Sequence, residues 1–258
     1  MEVGLALATL GGLAVVGWLG LLLSPATGWR LRPQAEDDEP PPGPEPWPAV
    51  SVLIPARNES RMLRCALPSI LDQDYPGPWR IVLVDDRSSD GTTPSAAKLA
   101  QDHPAGGRLK VVAGDPLPDG WVGKVWALEQ GARALADEPP AYVLLTDADI
   151  AHAPWSLRTL VSQSEHQGLA LNSRMARLHC RSRPERLLIP AFVYFFNLLY
   201  PMRRVNRPAS SIAAAAGGCM LVRWDALAET GGFEGIRSEI IDDVNLARQL
   251  KSPARPIR

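Results

Sequence analysis

AYVLLTDAD, residues 141–149, runs five apolar residues into Thr-Asp-Ala-Asp. An apolar run of this length, with no polar alternation, reads as a strand covered on both faces, the setting of a parallel sheet. Working outward, three further stretches read as strands: AVSVLIPA (49–56), WRIVLVDD (79–86) and LKVVA (109–113). Helical patterns follow each in turn: from Asn58-Glu59-Ser60 to about Ile70, near 94–102, over Lys124–Ala136, and near 154–167. Ser88-Ser89-Asp90-Gly91-Thr92 supplies turn and cap chemistry ahead of the second helix. Strands alternating with helices define an α/β fold with a mainly parallel central sheet and flanking helices.

The chemistry is expected where these strands end. In an open α/β sheet, ligands bind beyond the carboxyl ends of the strands. Three of the four ends carry polar clusters: Arg57-Asn58-Glu59, Asp85-Asp86 and Asp147-Ala148-Asp149. Clustered carboxylates repel unless a cation or hydrogen-bond donors neutralise them. In extended chain, side chains at i and i+2 point the same way, so Asp147 and Asp149 can face one ion. Hard oxygen ligands suit Mg2+ or Mn2+, completed by substrate phosphates. The plainer reading of that pair is a solvated turn; the company of the other clusters favours the ion. Asp85-Asp86 reads either as a loop start or as an acceptor for ribose hydroxyls and nucleobase N–H groups. Neither GxxxxGK[ST] nor GxGxxG occurs, so phosphate-loop and dinucleotide-binding readings lose their usual support. The cysteines (Cys65, Cys180, Cys219) and histidines (His103, His152, His166, His179) show no nucleophile or metal spacing, and the histidines are expected in surface or loop positions.

Taken in order, PARNE (55–59), VDDRSSDGT (84–92), GWVGK (120–124), TDAD (146–149), GGCMLVR (217–223), GGF (231–233) and IDDVNL (241–246) resemble glycosyltransferase family 2, the inverting GT-A group. Within it, the set with GWVGK is similar to the ceramide-glucosyltransferase relatives and to bacterial hopanoid-biosynthesis-associated glycosyltransferases, which carry an N-terminal membrane anchor. The resemblance implies a nucleotide-sugar donor, a UDP-sugar, and a lipid acceptor. It implies that Asp85 and Asp86 hold the nucleotide and that Arg57, Asn58 and Glu59 line the base pocket. Asp149 would coordinate Mg2+ or Mn2+ on the diphosphate, with Asp147 assisting through metal or ribose, and Lys124 would sit near the donor phosphates. In IDDVNLARQL (241–250) the family's catalytic base aligns with Asp243. Acids at a helix amino end are also favoured by the dipole alone. Where the family usually has Glu, this chain has the shorter Asp242.

Composition conceals three unlike segments. The net charge of −1 gives no global drive toward nucleic acid, and 46% hydrophobic with 21% charged residues excludes a disordered chain. Residues 3–23, VGLALATLGGLAVVGWLGLLL, carry no charge; at about 1.5 Å per residue they reach roughly 31 Å, a bilayer's hydrocarbon thickness. The Met1-Glu2 start lacks the basic region of a signal peptide, so residues 1–30 read as a retained membrane anchor. Arg30 and Arg32 then place the remainder in the cytoplasm, on a single-pass inner-membrane protein. Residues 31–48, with seven prolines and an EDDE run, read as a stiff acidic linker. The catalytic domain is expected over 49–251, and 252–258 as a tail. Residues 168–258 hold 14 basic and 7 acidic side chains. Arginines there bracket LLIPAFVYFFNLLY (187–200), too short and too interrupted for a span, which reads as an interfacial segment or else as a core helix.

Two other classes stay open. A membrane-anchored nucleotidyltransferase would also use acids and a metal, but its phosphate loop needs glycine, and PARNES (55–60) has none. The other is a membrane-tethered, non-catalytic nucleotide-sugar-binding fragment. After Lys251 the chain reads SPARPIR, whereas the resembling family continues with a further gating motif and commonly with membrane helices. A catalytic core shortened at its carboxyl end is therefore expected.

Overall fold

The computed structural model describes residues 2–23 and 41–258. Arg30, Arg32 and most of the proline-rich linker lie outside the described residues. The first helix, α1 (Glu2–Leu23), contains a 20-residue stretch, Gly4–Leu23, long and apolar enough to cross a membrane.

The remaining elements follow in the order β1 (Val50–Ala56), α2 (Leu63–Leu71), β2 (Trp79–Asp85), α3 (Thr92–Gln101), β3 (Leu109–Ala113), α4 (Gly123–Arg133), β4 (Tyr142–Thr146), α5 (Ser156–Gln167), β5 (Leu171–Ser173), α6 (Arg183–Leu199), α7 (Met202–Val205), β6 (Cys219–Arg223), α8 (Trp224–Glu229) and α9 (Asp242–Leu250). The sheet order is β3-β2-β1-β4-β6-β5. β3, β2, β1 and β4 are parallel, with Val50 level with both Trp79 and Tyr142. β6 runs antiparallel to β4 and β5. This is the mixed α/β, mainly parallel architecture that the sequence pattern implies.

Two-residue alternation sorts the strands onto two cores. Leu53, Val82, Val84, Val143 and Leu145 face α4 and α9 through Val125, Leu128, Val244 and Leu246. Val52, Ile54, Ile81, Leu83 and Leu144 face α2 and α5 through Leu63, Leu67, Leu157 and Leu160. Burial on both sides explains why these strands lack polar alternation, and each large side chain so buried stabilises the fold by about 1.5–3 kcal/mol. Because α4 and α9 share one face, their amino ends meet above the same strand ends. α4 lies very close to β1: a Cβ on Gly131 would sit 2.1 Å from Leu53 Cδ1.

Three local expectations shift. The first helix of the domain begins at Leu63 rather than near Asn58, because 58–60 are tied into loop contacts described below. Residues 252–258 pack onto the domain: Ala170 and Ser173 N–H donate to the Pro256 and Arg258 carbonyls at 2.8 and 2.7 Å, and Ile257 is buried. The apolar run 187–200 lies almost wholly in α6, whose outer face is solvent-exposed, so it is not a core helix.

Candidate active site

The loops after β1 and β2 are stitched to each other. Asn58 and Arg87 both adopt left-handed backbone angles, φ 58° and 57°. Asn58 N–H donates to Ser88 Oγ at 2.8 Å, and Asn58 Oδ1 accepts from Ser89 N–H at 2.9 Å. Glu59 N–H donates to Thr92 Oγ1 at 2.9 Å and Ser60 N–H to Asp90 Oδ2 at 3.1 Å. Asn tolerates the left-handed region better than most residues, and its amide oxygen is here occupied by the neighbouring loop. Of the three residues at this strand end, Asn58 thus has a plain structural task.

Asp85 and Asp86 are both buried at the end of β2. Asp85 accepts from Ser88 N–H at 2.8 Å and from the Thr93 hydroxyl. Burial alone would raise its pKa, but the hydrogen bonds from Ser88 and Thr93 outweigh it and hold the carboxyl below the usual range. Asp86 Oδ2 lies 3.3 Å from Arg57 Nη1, and a Cβ on Gly123 would stand 3.4 Å from the same oxygen. Asp86 therefore faces the first turn of α4.

From that turn Lys124 reaches across the cleft. Its Nζ lies 2.8 Å from Asp147 Oδ1, beyond β4, and 3.6 Å from Asp242 Oδ2, at the start of α9. Burial pulls the Lys124 ammonium down, yet Asp147 and Asp242 together reverse this and raise its pKa. Asp242 is raised, chiefly by burial and against the pull of Lys124, with Asp243 adding to the rise. Glu59 is raised by burial, then by the negative charges of Asp149, Asp90 and Asp147. Acids from three strand ends and from α9 thus share one field. Asp149 is exposed beside half-buried Asp147. Among the described residues, no group of three or more His, Cys, Asp or Glu side chains gathers as a metal cage.

Asp243 is held separately. Its Oδ2 accepts from Gly217 N–H at 2.9 Å and its Oδ1 from Val244 N–H at 2.8 Å. A Cβ on Gly217 would stand 3.2 Å from Asp243 Oδ2, and one on Gly218 3.8 Å from Asp147 Oδ2, so the glycine pair threads between the two acids. Beneath it, Thr146 Oγ1 donates to the Gly218 carbonyl at 2.9 Å and lies 2.9 Å from His152 Nε2. With the hydroxyl proton directed at Gly218, His152 Nε2–H is the donor to Thr146. His152 does lie in a loop, but its ring is half-buried, and the desolvation lowers its pKa to about 4. Asp242 was placed only as the shorter first acid of the family's pair, and the Thr146–His152 pair had no place in the sequence pattern at all. Only GGCMLVR, as a motif, hinted at the glycines.

Residues 51–231 match the family described as Glycosyl transferase family 2. The chain belongs to that family. An N-acetylglucosaminyltransferase of Mesorhizobium japonicum is 29% identical over 214 residues, covering 80% of this chain and 48% of the relative. A 4,4'-diaponeurosporenoate glycosyltransferase of Staphylococcus aureus is 31% identical over 220 residues, covering 81% and 53%. The chain thus spans about half the length of these curated relatives. Among solved structures, the mannosyltransferase PcManGT from Pyrobaculum calidifontis, in complex with GDP-Man and Mn2+, aligns with TM-score 0.57 at 22% identity over 99% of this chain and 67% of that one. S. aureus TarS 1-349 in complex with UDP aligns with TM-score 0.53 at 18% identity, over 81% of this chain and 56% of that one. These likenesses establish the glycosyltransferase GT-A fold.

Proposed function

We propose that this family 2 chain is the catalytic part of a membrane-anchored inverting glycosyltransferase that moves a sugar from a nucleotide sugar, a UDP-sugar, to a lipid acceptor. The observation that carries this reading is the glycine pair 217–218, with Asp243 bonded on one side and Asp147 close on the other. In this reading one carboxylate takes a proton, and a second group of acids, beside a lysine, would hold a cation against the charged leaving group.

Asp85 and Asp86 accept from the ribose and base of the donor, with Arg57 and Glu59 beside them. Asn58 supports that pocket by keeping the two loops in register. Lys124 offers its ammonium to the donor phosphates. Asp147 and Asp149 suit Mg2+ or Mn2+ by donor chemistry: two carboxylates and substrate phosphates satisfy an octahedral ion without a third protein ligand. Such an ion would neutralise the departing nucleoside diphosphate. An acceptor hydroxyl is too weak an acid to attack unaided; Asp243, as base, takes its proton while the new bond forms opposite the leaving group. The Gly217 N–H keeps that carboxylate oriented.

The lipid acceptor, hopanoid-type by resemblance, is supported by the relative named for 4,4'-diaponeurosporenoate and by the apolar helix α1. With residues 1–30 as anchor and 31–48 as linker, the domain from residue 49 onward would work at the cytoplasmic side of the inner membrane. A second reading is a nucleotide-sugar-binding protein without turnover.

A panel of UDP- and GDP-sugars, assayed with and without Mn2+ in the presence of membrane lipids, tests both. Transfer that requires Mn2+ and is lost in Asp149→Ala supports the enzyme. Asp243→Asn is expected to lower turnover by about 10²–10⁴-fold, the usual worth of a general base, with donor binding retained. Normal transfer by that variant would remove Asp243 from the role, and donor binding with no turnover would favour the second reading.

A further inference from the structure

Helix α6 carries a face that nothing among the described residues covers. Its inner side packs through half-buried Val193 and buried Asn197. On the outer side Leu188, Phe192, Phe195 and Leu199 recur at helical spacing and remain 63%, 61%, 57% and 54% exposed. Residues 177–207 hold seven arginines and a single acid, Glu185. That acid is already engaged: its carboxylate accepts from Arg181 and Ser182 N–H at 2.8 and 2.7 Å in the box that starts the helix. Arg183 and Arg186 at one end and Arg203 and Arg204 beyond the other are exposed. Adjoining the amino end is a groove of about 400 Å3 lined by Arg61, Met62, Cys65, His179 and Arg181, with no acid among them.

An aromatic and aliphatic stripe with cationic ends fits one occupant, the surface of an anionic bilayer. The helix is about 26 Å long, and its inner side is taken up by protein, so it lies flat rather than spanning. A second copy fits poorly, because pairing along α6 would bring two arginine-rich rims together. We infer that α6 is an in-plane docking helix, with its stripe among the acyl chains and its arginines at the lipid phosphates. After α7, residues 206–216 lead from the docked face to Gly217, whose N–H holds Asp243. The inference goes beyond the sugar-transfer reading and does not depend on it.

The test uses the full chain in nanodiscs of phosphatidylcholine with or without phosphatidylglycerol. A nitroxide is placed by Phe192→Cys in a Cys65→Ser, Cys180→Ser background, with Lys98→Cys on α3 as the water-facing control. In anionic discs the label at 192 should collide with oxygen and be shielded several-fold from a nickel chelate, while the label at 98 stays open to nickel. Arg183→Gln combined with Arg186→Gln should weaken that shielding. Nickel access at 192 equal to that at 98 would overturn the proposal. So would shielding that ignores phosphatidylglycerol, or dipolar broadening showing that a second copy covers the face.

Discussion

Through Thr146, His152 supports the glycine turn from below, and its half-buried, desolvated ring makes the fold sensitive to acid. Its pKa of about 4 lies below the ordinary 6.5. Between those values the unfolded chain binds a proton that the folded chain refuses. The stabilisation is therefore complete above pH 6.5 and is lost as pH falls toward 4, a difference of about 3 kcal/mol. His152→Gln should remove this part of the pH dependence. Denaturant unfolding in detergent at pH 7 and pH 4.5 checks it, and equal losses in both proteins would refute the assignment. The residue was legible only as a loop histidine, because its partner Thr146 is in turn committed to the Gly218 carbonyl, which a different segment of the chain brings near. Lys124 and Asp242 were each noticed in sequence, but not their ion pair, which joins segments far apart in the chain. By contrast Asp85, Asp86, Asp147 and Asp149 could be found from sequence, since each directly follows an apolar strand. Asn58 shows the converse error available to such reading: a polar residue at a strand end can be part of the loop's own bonding.

At the level of elements, α4 packs closely on β1 through Gly131. Leu53 is fully buried, and a methyl group on Gly131 would collide with it at 2.1 Å. Gly131→Ala should cost about 1–3 kcal/mol by overpacking, whatever it gains in helix propensity. Gly107→Ala, whose Cβ would meet nothing within 4 Å, serves as the neutral comparison in equilibrium unfolding. Equal stability of the two variants would mean that Leu53 relocates freely. β1, β2 and β4 were legible because burial on both faces leaves a mainly apolar run, whereas β3 at the sheet edge is only half-buried. β5 was not legible, since three residues are too few to show a period. Nor could the antiparallel sense of β6 be read, because direction is set by the excursion through α6 rather than by the strand itself.

For the whole molecule, near-neutral charge is an average of dissimilar parts. The acidic strand ends gather at the site, whereas the arginines collect around α6. Anchoring through α1 predicts that washing membranes with high salt leaves the full chain in the pellet and that detergent releases it. Deleting residues 2–23 should leave an association through α6 that salt does reverse. Release of the full chain by salt alone would exclude the anchor.

Sheet order also dictates an order of assembly. β6 lies between β4 and β5, and β5 pairs with no other named strand. During synthesis β4 can join β1 and β2 early, but its far edge stays open until residue 223 has emerged. At ordinary elongation rates that interval lasts roughly 4–15 s, and the apolar α6 is made within it. An open strand edge beside a greasy helix is the setting in which nascent chains aggregate or engage chaperones. Ribosome-stalled chains ending before residue 219 should therefore be protease-sensitive and chaperone-bound, and those extending well past residue 258 on a linker should not. Rapid engagement of α6 with a lipid surface would shorten that vulnerable period, which makes the membrane a folding aid as well as a workplace.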